Sequence, residues 1–246
     1  MRLWKKIISF LSLIAVLLSF TKAKLYAIEH GEHTFFSESG AHEYTNVYRY
    51  KRNEGNRIAL TFDDGPHPVY TEKILDILKK YNVKATFFMI GENVINYTET
   101  AIRVKEEGHE IGNHTVKHLT ARKSSPAELM QDMLECSRII RERLGYEASI
   151  MRPPEGALVD AVMTTCNELD LSVILWNVDT RDWAHTSPRT IYDNVIKSTD
   201  SGDIILMHDY ISKNSPTPTA LELIIPKLID SGYVFVTVSE LIRADE

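Results

Sequence analysis

Two adjacent carboxylates, Asp63 and Asp64, stand in the run Thr61-Phe62-Asp63-Asp64-Gly65-Pro66. Paired acids closing an apolar run are costly unless something compensates them. One of the two can ligate a cation while its neighbour, pointing elsewhere, acts as a base; a plain Asp-Asp-Gly-Pro turn is the alternative. His114 and His118 are four residues apart, so one helical turn would set both imidazoles on one face, able to converge on a metal. With Asp64 they make a His-His-Asp set. Three protein ligands leave a position open for water, the pattern of a catalytic rather than a structural site. An ion held there would lower that water's pKa and polarise a carbonyl under attack. Zinc is the expected ion, and cobalt or nickel suits the same donors. Three further polar clusters close other apolar runs: Arg152-Pro153-Pro154-Glu155-Gly156, Asp179-Thr180-Arg181-Asp182-Trp183 and Leu206-Met207-His208-Asp209. In the first, the prolines stiffen a loop from which Arg152 can reach a carboxylate. A lone histidine such as His208 is more often structural. Here it is one of a series of polar clusters, each at the end of an expected strand.

The elements that must hold these residues begin at Arg57, where short apolar runs start to alternate with segments of helical period. Strands are expected over 58–62, 85–90, 110–112, 149–151, 172–176, 203–207 and 233–236. Helices are expected near 70–81, 98–107, 126–144, 158–169, 188–199 and 217–231. Glu107-Gly108, Leu144-Gly145 and Ser231-Gly232 read as helix stops, and Pro126 and Pro188 stand near helix starts. This α/β alternation argues for a parallel sheet with helices outside, and seven or so units suit a barrel better than an open sheet. In such barrels function sits at the C-terminal ends of the strands, where every cluster above falls. Residues 24–55 read as a polar spacer or a packed N-terminal extension, and residues 56–246 as one catalytic domain. No internal repeat is evident.

Residues 1–23 read as a Sec signal. Arg2, Lys5 and Lys6 precede an uncharged run over 7–20, and Thr21-Lys22-Ala23 offers a cleavage site, with Leu25-Tyr26-Ala27 a second. The run is short for a membrane span, though an uncleaved anchor stays open. Either way this segment would engage the membrane and Sec machinery, leaving the catalytic part secreted or anchored outside the cytoplasm, beside the cell wall. Without these residues the net charge of −6 becomes −10, since four basic residues and no acid are removed. An acidic domain is a poor partner for nucleic acid and is compatible with a neutral polysaccharide. Cys136 and Cys166 sit in helix-period segments and could pair outside the cell or remain buried thiols. With 43% hydrophobic and 25% charged residues, the 246-residue chain has the makings of a full core, which excludes disordered and low-complexity classes. A monomer is the expected state.

The five ordered motifs, Thr61–Pro66, His114–His118, Arg152–Gly156, Asp179–Trp183 and Ile205–His208, resemble those of the polysaccharide deacetylases of carbohydrate esterase family 4, the domain shared with the rhizobial chitooligosaccharide deacetylase. The resemblance implies a distorted (β/α)7-8 barrel and a mononuclear metal hydrolase that removes N-acetyl groups from N-acetylglucosamine units. Peptidoglycan is the preferred substrate on this reading, with chitin-type oligomers also open. An O-acetyl xylan esterase and an inactive carbohydrate-binding domain are the alternatives. The resemblance further implies Asp63 as general base, Asp64 with His114 and His118 as metal ligands, and Arg152 orienting Asp63. His208 would be the general acid, Asp182 would tune it, and Trp183 and Leu206 would line the acetyl pocket, with Pro154 and Glu155 toward the sugar. Family members usually carry an aromatic residue where this chain has Glu155, so the sugar-binding surface should differ there.

Overall fold

Along β3 (Arg57–Gly65) burial is unbroken from Ile58 to Asp63, and successive side chains enter opposite faces of the sheet. Ile58, Leu60 and Phe62 enter one apolar cluster with Ile74, Leu75 and Leu78, while Ala59 enters another with Phe88, Ile174 and Ile204. A strand buried on both faces must lie mid-sheet. β3 pairs with three neighbours.

The computed structural model describes residues 32–36, 43–52, 55–211 and 213–243. The expected signal segment, residues 1–23, lies outside them. Two strands precede β3, namely β1 (Glu32–Phe36) and β2 (Glu43–Tyr48). After β3 come α1 (Tyr70–Lys80), β4 (Thr86–Met89), α2 (Gly91–Asn96), α3 (Thr98–Glu106), β5 (Glu110–Asn113), α4 (Pro126–Leu144) and β6 (Ile150–Met151). The chain continues through α5 (Asp160–Glu168), β7 (Ser172–Ile174), β8 (Val178–Asp179), α6 (Pro188–Ser198), β9 (Ile204–His208), α7 (Thr217–Asp230), β10 (Val234–Val236) and α8 (Val238–Ile242). The sheet order is β1-β2-β7-β6-β5-β4-β3-β9-β8, with β10 added to β3. Every ladder is parallel except that between β1 and β2. The sheet curls into a half-barrel ringed by helices, and no ladder joins β7 to β8 among the described residues.

Local chemistry accounts for the longest helix. Ser125 and Glu128 form a capping box at the start of α4, Pro126 fills its first turn, and Gly145 ends it in a left-handed conformation. Both cysteines are buried free thiols, Cys136 in α4 and Cys166 in α5. The expected strands and long helices are present, and their ends shift by a few residues. β3 runs on to Gly65 and so carries both aspartates. β7 stops at Ile174, short of the expected 176, before β8 starts at Val178. β8 is only two residues long, too short to show a period. β2 runs parallel to β7 and gives the core the fully buried Val47, opposite Val173, with Tyr48 packed against a second cluster, but its mostly polar sequence carries no strand signature.

Candidate active site

The C-terminal ends of β3, β5, β6, β8 and β9 bring the clusters together. β3 and β9 lie in parallel register with Asp63 opposite His208, and β5 pairs with β6 through Asn113 and Met151, the residues just before His114 and Arg152. Register alone therefore sets a carboxylate, two imidazoles and a guanidinium around one edge of the sheet.

His114 and His118 converge, but not by the helical turn their spacing suggested. Residues 114–118 form an irregular loop in which Thr115 has φ 67° and His118 φ 53°. Two positive φ angles over this stretch are incompatible with a helix and coil the loop back on itself. Asp64 Oδ1 lies 3.4 Å from Nε2 of His114 and 3.4 Å from Nε2 of His118, and the three donor atoms fall within 4.8 Å of one another.

The chemistry of these donors fits a cation. His114 Nδ1 lies 2.7 Å from the Arg152 carbonyl, which can only accept, so Nδ1 carries the proton and Nε2 turns its lone pair toward Asp64. Asp64 Oδ1 is buried and has no hydrogen-bond partner. A lone pair facing an orphaned carboxylate oxygen is repulsive until a positive charge lies between them. Tetrahedral zinc with bonds of about 2.1 Å separates its donors by about 3.4 Å, which matches the two spacings from Asp64 to the histidines. Burial works against the Asp64 charge, while the positive charge of His208 nearby favours it. Its backbone is also unusual, with φ 75° at an irregularity in the β3–β4 ladder, and both carboxylates face His114 Nε2, with Asp63 Oδ2 at 3.9 Å.

Asp63 is held by the other half of the site. Arg152 is completely buried and gives Nη1 to Asp63 Oδ1 at 2.7 Å and to Thr61 Oγ1 at 2.8 Å. Its Nε and Nη2 go to the carbonyls of Ile174 and Leu175 at 3.2 and 3.1 Å. The guanidinium also lies 4.2 Å above the Phe88 ring. So many partners leave the planar fork one orientation, and Asp63 inherits it.

His208 is anchored to the fully buried Asp182, whose Oδ1 lies 2.9 Å from Nδ1 and whose Oδ2 accepts the His208 backbone N–H at 2.8 Å. Thr217 Oγ1 and the Trp183 N–H also donate to Asp182. Burial alone would lower the His208 pKa. The hydrogen bond and charge of Asp182, with Asp63 and Asp64 beyond, reverse this and raise it to about 9. The imidazole is therefore a proton donor at neutral pH, with Nδ1 occupied and Nε2 left for chemistry.

Of the other residues expected here, Leu206 is buried on β9 while Trp183 is 46% exposed. Trp183 bonds Asp179 Oδ1 through Nε1 at 3.2 Å. Pro154 is buried and Glu155 exposed, the latter in the left-handed region at φ 59° and without an ion pair among the described residues. Sequence reasoning missed Asp209. It is fully buried, accepts through Oδ2 from Thr71 Oγ1 at 2.5 Å, and leaves Oδ1 without a partner. Burial, with the Asp64 and Asp63 charges nearby, pushes its carboxyl up to about 7 against the Thr71 hydrogen bond. Gly65 packs directly on it; a Cβ there would run into the Asp209 carboxyl. Its position after His208 was the only signal, and the partner at Thr71 is 138 residues away.

Comparison with known proteins places the chain in a family. A family model described as polysaccharide deacetylase matches residues 50–174. A peptidoglycan-N-acetylglucosamine deacetylase of Bacillus cereus is 45% identical over 193 residues, covering 78% of this chain and 90% of its own. The crystal structure of the Bc1960 peptidoglycan N-acetylglucosamine deacetylase superposes with a TM-score of 0.77 at 36% identity, covering 80% of this chain and 92% of that one. A family 4 acetyl xylan esterase from Clostridium thermocellum, solved with a cobalt ion, gives 0.70 at 37% identity, covering 76% and 91%. The chain belongs to the polysaccharide deacetylase family.

Proposed function

We propose that this chain hydrolyses the N-acetyl groups of N-acetylglucosamine units in a cell-wall polysaccharide, with peptidoglycan preferred and chitin-type oligomers accepted. The observation that carries the reading is the pairing of Arg152-bound Asp63 and Asp182-bound His208 across adjacent strands, beside the donors Asp64, His114 and His118. A divalent ion on those donors, zinc by preference, supplies an activated water and polarises the amide carbonyl. Asp63, fixed by Arg152, takes the proton of the attacking water. His208 gives its Nε2 proton to the departing nitrogen as the carbon–nitrogen bond breaks, so acetate and a free glucosamine amine are released. Asp182 keeps the imidazole charged and turned toward that nitrogen. An inactive carbohydrate-binding domain would be marked by loss of the base, the acid or a ligand, and each is present.

The names of the relatives support peptidoglycan as the substrate, and zinc or cobalt suits two imidazoles and a carboxylate. The charge pattern of residues 1–23 supports a secreted or membrane-anchored enzyme at the wall. The test is acetate release from purified peptidoglycan, chitin oligomers and acetylxylan, side by side, before and after chelation. Release from the two N-acetylated glycans that chelation abolishes and zinc or cobalt restores is the expected result. Release from acetylxylan alone would replace amide hydrolysis with ester hydrolysis.

A further inference from the structure

Tyr81, Tyr146, Tyr192 and Tyr233 lie against the main apolar core, whereas Tyr70, Tyr97 and Tyr210 pack against none of the core clusters. Those three gather instead on His67. The Tyr210 ring stacks on the imidazole, 4.1 Å between centroids and 9° from parallel; Tyr70 lies 5.3 Å away and Tyr97 6.1 Å. All four side chains are half-buried, and Pro68 and Val69 beside them are exposed. Core packing does not explain this group of rings.

Its location ties it to the active site. His67 follows Asp64 by three residues beyond β3, and Tyr210 follows His208 by two beyond β9, the strand paired with β3. Tyr97 joins α2 to α3, beyond β4, on the other side of β3. The rings thus border the reacting residues along the β4–β3–β9 edge. Their footing is rigid. The His67 N–H donates to Thr71 Oγ1 at 2.7 Å, Thr71 holds Asp209, and the Tyr70 hydroxyl accepts the Asn214 N–H at 2.6 Å. The Lys73 ammonium covers the Tyr70 ring at 5.4 Å, which makes Tyr70 a support rather than a contact surface. His67 Nδ1 accepts the Val69 and Tyr70 N–H groups, and burial keeps its pKa below the ordinary value, so the imidazole is uncharged at neutral pH.

We propose that His67, Tyr97 and Tyr210 form a saccharide subsite, on which a pyranose ring of the glycan chain stacks beside the N-acetylglucosamine being deacetylated. The assignment rests on the polysaccharide reading of the site. Uncharged aromatic faces suit the apolar C–H face of a neutral sugar, and the acidic chain disfavours a polyanion.

Calorimetric titration of the metal-loaded full chain with the N-acetylglucosamine hexamer and dimer tests this, with Asp63→Asn as background so that the hexamer is not consumed. Tyr97→Leu and Tyr210→Leu should each weaken the hexamer roughly 3- to 10-fold, with a smaller loss for the dimer. Tyr97→Phe and Tyr210→Phe should bind as the parent does, because stacking needs the ring and not the hydroxyl. Leu223→Ala, on the exposed face of α7, is the unaffected control. Equal hexamer affinity in the Leu and Phe variants, an equal loss for dimer and hexamer, or no hexamer binding by the parent would each overturn the subsite. Acetate release by the unsubstituted chain judges the deacetylase reading separately. A failed subsite with acetate still released leaves deacetylation standing, whereas binding through the subsite with no acetate from any glycan overturns deacetylation alone.

Discussion

A histidine hydrogen-bonded through Nδ1 to a fully buried carboxylate keeps its proton well past neutrality, and His208, with a pKa raised to about 9, is such a case. Its proton is held below that value and lost above it, so proton donation should fail on the alkaline side. Asp182→Asn removes the partner anion, and the alkaline limb of kcat/KM should then move down from about 9 toward the ordinary imidazole value of 6.5. An unmoved limb would show that His208 is not the donor. On the opposite strand, Asp63→Asn keeps an oxygen for Arg152 and leaves the metal donors intact. It should lower kcat by ~10²–10⁴-fold with metal content unchanged, and turnover at the parent level would remove Asp63 from the mechanism. These residues were legible because types with a cost, an acid pair and strand-terminal histidines, recur at strand ends. Arg152 was legible as a guanidinium in reach of a carboxylate, but not as a completely buried one. Asp209 was not legible, since only folding brings it to Thr71 and Gly65.

At the scale of elements, the loop 114–118 is the part least able to hold itself, having no ladder or helix of its own. α4 and the start of α2 hold it instead. Asp132 Oδ2 accepts the N–H of Val116 at 2.6 Å and of Lys117 at 3.3 Å, while Asn113 Oδ1 accepts that of Thr115 at 2.8 Å. The carbonyls of Thr115 and Val116 accept from Gly91 and Glu92. Asp132→Ala leaves two of these amides unpartnered beside both imidazoles. Metal affinity should fall about 10–100-fold, as for other residues that orient ligands, while Asp132→Asn keeps an acceptor oxygen and most of the affinity. Competition with a chromophoric chelator measures both variants, and equal affinity in the Ala variant would show that the loop holds its shape without α4. The i, i+4 spacing correctly paired His114 with His118 but for the wrong reason: a loop with two left-handed residues reaches the same convergence as a helical turn. Long helices such as α4 were readable from caps and period. β2, β8 and the short helices α2 and α8 were not, because so few residues, or in β2 so few apolar ones, leave no pattern to read.

Over the whole molecule, chemistry and stability occupy opposite ends of the sheet. Asp63 and His208 lie at the C-terminal ends of their strands, while His109 sits just before β5 at the N-terminal end, where its Nδ1 accepts the Ala85 N–H at 3.2 Å and its ring meets Phe87 edge-on. Burial first, then the charges of Lys84 and Arg103 against that of Glu107, lowers its pKa from 6.5 to about 4. Folding therefore holds this imidazole neutral, whereas the unfolded chain takes up a proton as soon as the pH drops below the ordinary value. Its contribution to stability is complete above pH 6.5, declines as the pH falls, and is fully lost by about 4, where the folded form also binds the proton. The shift corresponds to about 3 kcal/mol over that window. His109→Asn keeps an oxygen where Nδ1 accepts Ala85 and cannot be protonated. Urea unfolding measured at intervals from pH 7 to pH 4 should show the parent losing more stability than the variant, with the difference opening near 6.5 and levelling near 4. Carboxylates that titrate in the same range affect both proteins alike and cancel in that difference. Parallel curves would mean that the His109 proton is bound equally in both states, and that acid sensitivity belongs to the carboxylates at the other end of the sheet.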